Sequence, residues 1–173
     1  MRIDLALLIL RLTTGSFLAG HGSQKLFGWF GGHGIRGTAG WLESLGFRPG
    51  IPWALAVGLS EFCGGLLTAL GLFNPIGPLA ITSVMVVAIR KVHWGKPIWV
   101  SEGGAELPAT NIAVASAIAL AGPGRFSLDR LLGVRLSAVP ALVGMIIGFV
   151  LALTNRRTRS LVEMVLATPA TQR

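Results

Sequence analysis

Five long apolar runs, separated by short polar or glycine-rich segments, are the feature that most constrains the fold of this chain. They cover residues 5–20, 53–73, 76–89, 108–122 and 137–154. A helix rises about 1.5 Å per residue and needs about 20 apolar residues to cross the hydrocarbon core of a bilayer. Charged residues make up only 13% of the chain, against about 25% in an ordinary soluble domain. The sequence therefore predicts an all-α integral membrane protein with five spans.

The second and fifth runs are nearly full length, whereas the third and fourth need extension. The third extends through Arg90 and Lys91 to Trp94, because basic side chains reach the membrane surface and Trp favours the interface. The fourth begins within residues 105–108. Pro75 interrupts continuous apolar sequence, and proline ends one helix and can start the next. The second and third spans are therefore predicted to form a tight hairpin.

The segment over residues 21–52 joins the first two spans. A glycine-rich loop over residues 21–37 is followed by Trp41, Leu42 and Leu45, which recur at helical spacing. This pattern predicts a short helix lying on the membrane interface. The alternative, a re-entrant segment packed on the bundle, stays open.

The basic residues flank the apolar runs, and they form no basic helical face that would favour nucleic-acid binding despite a net charge of +8. With five spans, ten Lys and Arg residues fall on one side of the membrane and four on the other. Lys and Arg concentrate on the cytoplasmic side. The count predicts an N-terminus outside and a C-terminus inside, with much of the bias carried by the tail.

Two charged residues, Arg11 and Glu61, lie inside predicted spans. In antiparallel neighbours they would sit at matching depth, about 12 to 14 Å below one surface. A lone charge at mid-bilayer costs about 2.5 to 3.5 kcal/mol, so an ion pair is expected. The pair is either a clamp that orders two helices or a proton or ligand site.

More polar side chains cluster near the same predicted membrane face, around the expected pair. They are His21, Gln24, Lys25, His93, Trp94, Glu102, Glu106 and Asn111. If these side chains converge, they form a polar opening above the pair. Such an opening is suited to protonating and hydrogen-bonding a quinone head group, with apolar walls for its tail. The candidate catalytic residues are Glu61 and His21, and the candidate cofactor-binding residues are Arg11, Gln24, Lys25, His93 and Glu106. Metal binding by His21, His93 and Glu106 is a weaker hypothesis, because no tight ligand spacing is present.

Small residues are expected to let the helices pack closely. Gly58, Gly64, Gly65 and Gly71 lie within the second span, and Cys63, the single cysteine, is predicted to pack beside Gly64 and Gly65 as an unreactive thiol. Gly144 and Gly148 in the fifth run predict either an oligomer contact or packing within the bundle.

The order and spacing of several motifs resemble those of the DoxX family of small bacterial membrane proteins. The motifs are residues 20–28, residues 37–39, Glu61 with Gly64, Gly65 and Gly71, Met85, Ala88, His93, Glu106, residues 122–125 and residues 127–129. The resemblance implies a four-helix membrane bundle over residues 1–133 in the bacterial inner membrane. Residues 134–173, with the fifth run and a basic tail, extend beyond this pattern.

The resemblance also implies a function related to the small subunit of thiosulfate:quinone oxidoreductase. Similar actinobacterial proteins are linked to a superoxide dismutase and a sulfurtransferase that handle thiol stress, so such enzymes are expected partners, with quinone as the candidate cofactor. The chain has no motif for haem, flavin or an iron–sulfur cluster, and one cysteine cannot hold a cluster.

Two functions remain open. The first is a membrane subunit of a quinone-linked redox or thiol-stress complex that lacks its own redox centre. The second is a non-catalytic scaffold that recruits soluble or membrane partners. A transporter is disfavoured because no inverted repeat is present.

Overall fold

Four long helices form the body of the protein in the computed structural model, which describes residues 1–137. They are α1 (Arg2–Phe27), α3 (Gly50–Leu70), α4 (Ile76–Ala88) and α5 (Glu106–Ala121). A π-helical turn over Ile89–His93 continues α4. Two shorter helices complete the set, α2 (Gly34–Ser44) between α1 and α3, and α6 (Leu128–Leu132) after α5.

The long helices close into a ring, in which α1 packs on α3, α3 on α4, α4 on α5, and α5 on α1. Three of the described helices, α1, α3 and α4 with its π-helical turn, are long and apolar enough to cross a membrane, and α5 is a shorter apolar helix. Large apolar side chains such as Ile9, Leu12 and Phe17 face outward from α1, as suits contact with lipid. The predicted all-α membrane bundle is confirmed for the described residues, while the fifth run, Gly144, Gly148 and the basic tail lie outside them.

The predicted helix limits hold at α4 and α5 and fail at α1. The third span ends at His93, next to the predicted end at Trp94, and α5 begins at Glu106, within the predicted interval 105–108. Helix α1 was expected to end near Gly20 but continues to Phe27, where Gly28 adopts the left-handed conformation (φ 76°) that commonly ends helices. Part of the predicted loop is therefore helix.

Helix α2 confirms the short helix predicted between the first two spans. It packs on α1 and α3 and buries Thr38, Ala39 and Leu42. The carboxylate of Glu43 accepts a hydrogen bond from Gly50 N at 2.7 Å, which ties α2 to the first turn of α3. The helix is thus held against the bundle along one face.

Glycines bring the long helices into backbone contact, as the sequence predicted. A Cβ atom on Gly15 of α1 would lie 2.5 Å from Ala69 N, and one on Gly65 of α3 would lie 2.6 Å from Gly15 O. Across the α3–α4 hairpin, a Cβ on Gly64 would lie 3.0 Å from the Cβ of Ala80. These seams fix the register of α1 against α3 and of α3 against α4.

Candidate ligand site

A cavity of about 280 Å³ lies at the end of the bundle where α1 and α4 finish and where α3 and α5 begin. Helix α2 and the segment after it form one side, through Trp41, Leu42 and Phe47. Most of the lining is apolar, and Leu18, Val84 and Met85 belong both to it and to the buried core. A few polar side chains therefore stand against a hydrophobic wall.

An ion pair between Lys25 and Glu61 forms part of that wall. The Lys25 Nζ donates to Glu61 Oε2, and Glu61 is 4% exposed whereas Lys25 is half-buried. Lys25 lies in the last turn of α1, where the negative end of the helix dipole favours a cation. Thr38 Oγ1 donates to the carbonyl of Lys25 at 3.2 Å, which joins α2 to the same turn.

The predicted pair of Arg11 with Glu61 is wrong. Arg11 lies against Gly71 at the opposite end of α3 and donates to the carbonyl of Phe126. At 1.5 Å per residue, Arg11 and Lys25 are about 21 Å apart along α1. Extending α1 beyond Gly20 brings Lys25, rather than Arg11, level with Glu61.

Two histidines and an asparagine share the cavity with the ion pair. The Nδ1 of His93 lies 2.7 Å from the carbonyl of Gly103. Because a carbonyl only accepts, Nδ1 carries the proton, and Nε2 is the nitrogen that can exchange one. The Nδ1 of His21, an exposed residue, lies 3.1 Å from the Oε1 of Gln24. The Nδ2 of Asn111 has the Met85 sulfur as a partner at 3.7 Å, a weak acceptor.

The predicted site residues thus divide into three groups. Glu61, Lys25, His21 and His93 meet in one cavity. Gln24 and Glu106 stand beside it and order neighbouring backbone, with Gln24 Nε2 donating to Phe30 O at 3.3 Å and Glu106 accepting from Val100 N at 2.8 Å. Arg11 lies at the other end of the bundle.

Sequence reasoning missed a second cation at the cavity and the partner of Arg11. Lys91 lines the cavity and its Nζ lies 5.3 Å from the centre of the Phe47 ring. Asp129 interacts electrostatically with Arg11 and accepts backbone hydrogen bonds from Phe73 and Asn74. The only sequence signal near Asp129 is Ser127, the N-cap of α6. It predicts the start of a helix but not the contact between Asp129 and Arg11.

The expected packing of Cys63 is also wrong. Its side chain is exposed on the outer face of α3, because the helical register that turns Gly64 and Gly65 toward α4 and α1 turns Cys63 away from both. Within residues 1–137, no three His, Cys, Asp or Glu side chains are grouped as a metal site would need.

A ring of apolar helices, several of them able to span a bilayer, defines this chain as a multi-pass membrane protein. Residues 6–94, just over half of the chain, match the model of the DoxX family, and the chain belongs to that family. DoxX proteins are membrane proteins often linked to quinone oxidoreductase-type complexes. Comparison with curated proteins and with solved structures gives no significant match.

Proposed function

We propose that this protein is the membrane subunit of a quinone-linked redox or thiol-stress complex, and that the cavity holds the quinone ring. The observation that carries the proposal is the Lys25–Glu61 ion pair in the wall of an otherwise apolar cavity. An apolar cavity of about 150 Å³ is enough to admit benzene. The 280 Å³ found here therefore suits one substituted six-membered ring.

The chemistry of the pair fits a quinone head group. An ammonium group has three donors, and Lys25 directs one of them to Glu61, which leaves donors for a ligand carbonyl oxygen. The Glu61 carboxylate is an acceptor for the hydroxyl of a reduced ring. Convergent polar groups on an apolar wall are the usual composition of a small-molecule site.

The histidines supply a route for protons between this pair and water. A bound quinone takes up two electrons and two protons and leaves as a quinol. Imidazole is the side chain best suited to exchanging protons near neutral pH. His21 lies exposed at the rim, and His93 presents its Nε2 as the exchangeable nitrogen. Glu61 and Lys25 then hold or release protons next to the ring.

The electrons would come from a partner, because the sequence carries no motif for a redox centre of its own. A soluble sulfurtransferase or superoxide dismutase, the enzymes associated with similar actinobacterial proteins, is a candidate soluble partner in such a complex. A partner of this kind would have to dock near the cavity end.

A second candidate function, a non-catalytic scaffold, is favoured by the loop between α4 and α5. Trp94, Ile98 and Trp99 are all exposed there, next to the cavity mouth. Exposed aromatic and aliphatic side chains grouped at one place are typical of a protein contact or an interfacial anchor. In this reading the ion pair only fixes the order of the helices.

Quinone binding to the full chain in lipid nanodiscs separates the two functions. We expect a decyl-substituted benzoquinone to bind with one-to-one stoichiometry, as measured by native mass spectrometry and titration. Glu61→Gln and Lys25→Met should each weaken it by about 10-fold or more, since a hydrogen bond to a charged group contributes about 1.5 to 3 kcal/mol. Glu102→Gln is the matched control, because Glu102 is exposed near the same end and does not line the cavity.

Partner co-purification is measured on the same variants. Variants that retain their partners but lose quinone support the redox function. Absence of quinone binding by the unmodified protein, with partners retained, would overturn it in favour of the scaffold.

A further inference from the structure

A second, smaller cavity of about 160 Å³ lies between α3 and α4 on the outside of the bundle. Trp53, Ala56 and Ser60 line it from α3, and Ser83 and Val87 line it from α4. We call it the α3–α4 groove. It shares five lining residues with the ligand cavity, namely Leu42, Phe47, Val57, Val84 and Val87. No more than one layer of side chains therefore separates the two.

The groove exists because the α3–α4 seam is closed at one end and open at the other. Near the hairpin the seam is tight, since a Cβ atom on Gly64 of α3 would lie 3.0 Å from the Cβ of Ala80 and 3.2 Å from the Gly77 carbonyl oxygen of α4. One turn earlier on α3, Ser60 lines the groove together with Ser83 of α4, and both side chains are small. Helices α1 and α5 pack on other faces of the ring, and α2 reaches the groove through Leu42. Among the described helices the remaining side of the groove is open, because Trp53, Ala56, Ser83 and Val87 are all exposed.

The chemistry of the groove differs from that of the cavity behind it. All nine lining residues are uncharged, and the Ser83 hydroxyl is already bonded to Leu79 O at 2.8 Å on its own helix. The rings of Phe47 and Trp53 lie 5.2 Å apart at its edge. Such a surface within a bilayer is suited to hydrocarbon and to nothing charged.

We propose that the groove and the cavity form one site for a single-chain amphiphile, which enters sideways from the bilayer between α3 and α4. The head group passes Val57 and Val84 to reach Lys25 and Glu61, and the hydrocarbon chain stays in the groove. This inference rests on the proposed quinone function, and it adds the access route and the requirement for a hydrocarbon chain on the ligand.

Reversible plugging of the groove tests the route on a protein that is already folded. Ser60→Cys in a Cys63→Ser background is labelled in nanodiscs with an octyl thiosulfonate, which forms a mixed disulfide that a reductant removes. The matched control is the natural protein labelled at Cys63, which lies three residues along α3, is exposed and does not line the groove. Each sample is titrated with decyl-benzoquinone and with the same ring lacking the chain.

We expect the label at position 60 to weaken decyl-benzoquinone binding by about 10-fold or more, with recovery after reduction, and to leave the chain-free ring unaffected. The label at Cys63 should change neither. Equal binding of decyl-benzoquinone with and without the label at position 60 would overturn the lateral route while leaving the proposed function intact. Failure of the unlabelled protein to bind either compound would overturn both.

Discussion

The two ends of the bundle each hold a charged residue of α1, yet they give it different partners. At the cavity end, Lys25 and Glu61 pair with each other beside open volume. At the opposite end, Asp129 is 3% exposed, and its two oxygens accept from Phe73 N at 2.7 Å and from Asn74 N at 2.8 Å. Arg11, 1% exposed, donates to the Phe126 carbonyl.

The difference lies in the kind of partner, because Asp129 also lines a cavity and the Arg11 Nε and Nη1 have no hydrogen-bond partner among the described residues. Backbone N–H groups of the α3–α4 turn occupy both oxygens of Asp129, so that this carboxylate clamps the turn to α6. The Lys25 ammonium keeps donors free beside a cavity. The position of a buried charge in a membrane span is thus less informative than the kind of partner it has.

Removal of Asp129 should have the largest effect on stability. Asp129→Ala leaves two backbone N–H groups without an acceptor and Arg11 without its compensating charge. Leaving a buried donor without an acceptor costs about 1 to 3 kcal/mol, so for the two N–H groups we expect a loss of about 2 to 6 kcal/mol in the free energy of unfolding, measured by thermal unfolding in mild detergent. Quinone affinity of the folded fraction should not change.

Arg130→Ala is the control for this prediction, because Arg130 is exposed and adjacent in sequence. A loss below about 1 kcal/mol, typical of an exposed pair, in Asp129→Ala would contradict the clamp and make the two ends equivalent.

The contrast between the ends also shows what the sequence made predictable. Hydropathy is a property of whole segments, so the four long helices of the described residues followed from it, and Pro75 added the hairpin between α3 and α4. The Arg11–Glu61 error came from a single boundary, because His21, Gln24 and Lys25 have the composition of a loop but continue α1. The seven residues beyond Gly20 lengthen α1 by about 10 Å. This moves the level at which each residue of α1 stands against α3, so that Lys25 replaces Arg11 as the neighbour of Glu61.

The register itself was present in the sequence as a ladder of small residues. Gly15, Ala19 and Gly22 on α1 meet Ala69, Gly65 and the backbone of Phe62 on α3, and this alignment lets the two backbones touch. The pairing of Asp129 with the hairpin turn was not predictable in this way, because it depends on a long-range return of the chain after α5.

Widening of the α1–α3 seam should affect both ends together. In Gly65→Ala the new Cβ would meet backbone atoms of Gly15 and Ala19, which cannot rotate away. Overpacking lowers the free energy of unfolding by about 1 to 3 kcal/mol. Because the clash is with backbone atoms, we expect a loss near the upper value, measured by thermal unfolding in mild detergent. Because Lys25 and Glu61 stand on opposite sides of the seam, quinone affinity should fall along with stability.

Gly20→Ala provides the matched comparison on α1, since a Cβ there would meet no atom within 4 Å. Alanine in a helix interior gains about 0.5 to 1 kcal/mol over glycine, so this variant should unfold at the same or higher temperature. Equal destabilisation by the two alanines would show that the seam does not set the register.

The smallest and most local effect is expected at Glu43, which connects α2 to α3 through the hydrogen bond to Gly50 N. Glu43→Ala should cost about 1 kcal/mol, because this bond is partly exposed and a typical intramolecular hydrogen bond contributes about that much. Since α2 supplies Trp41 and Leu42 to the cavity wall, loosening it opens the ligand site without disturbing the clamp. Hydrogen exchange of the α2 amides should speed up while α5 and the Asp129 region stay unchanged.

Ser44→Ala removes a hydrogen bond that stays within α2 and should leave exchange near its original rate. If Glu43→Ala instead accelerated exchange at both ends alike, the cavity end would share the rigidity of the clamp, and α2 would be an integral part of the bundle rather than a separable wall of the ligand site.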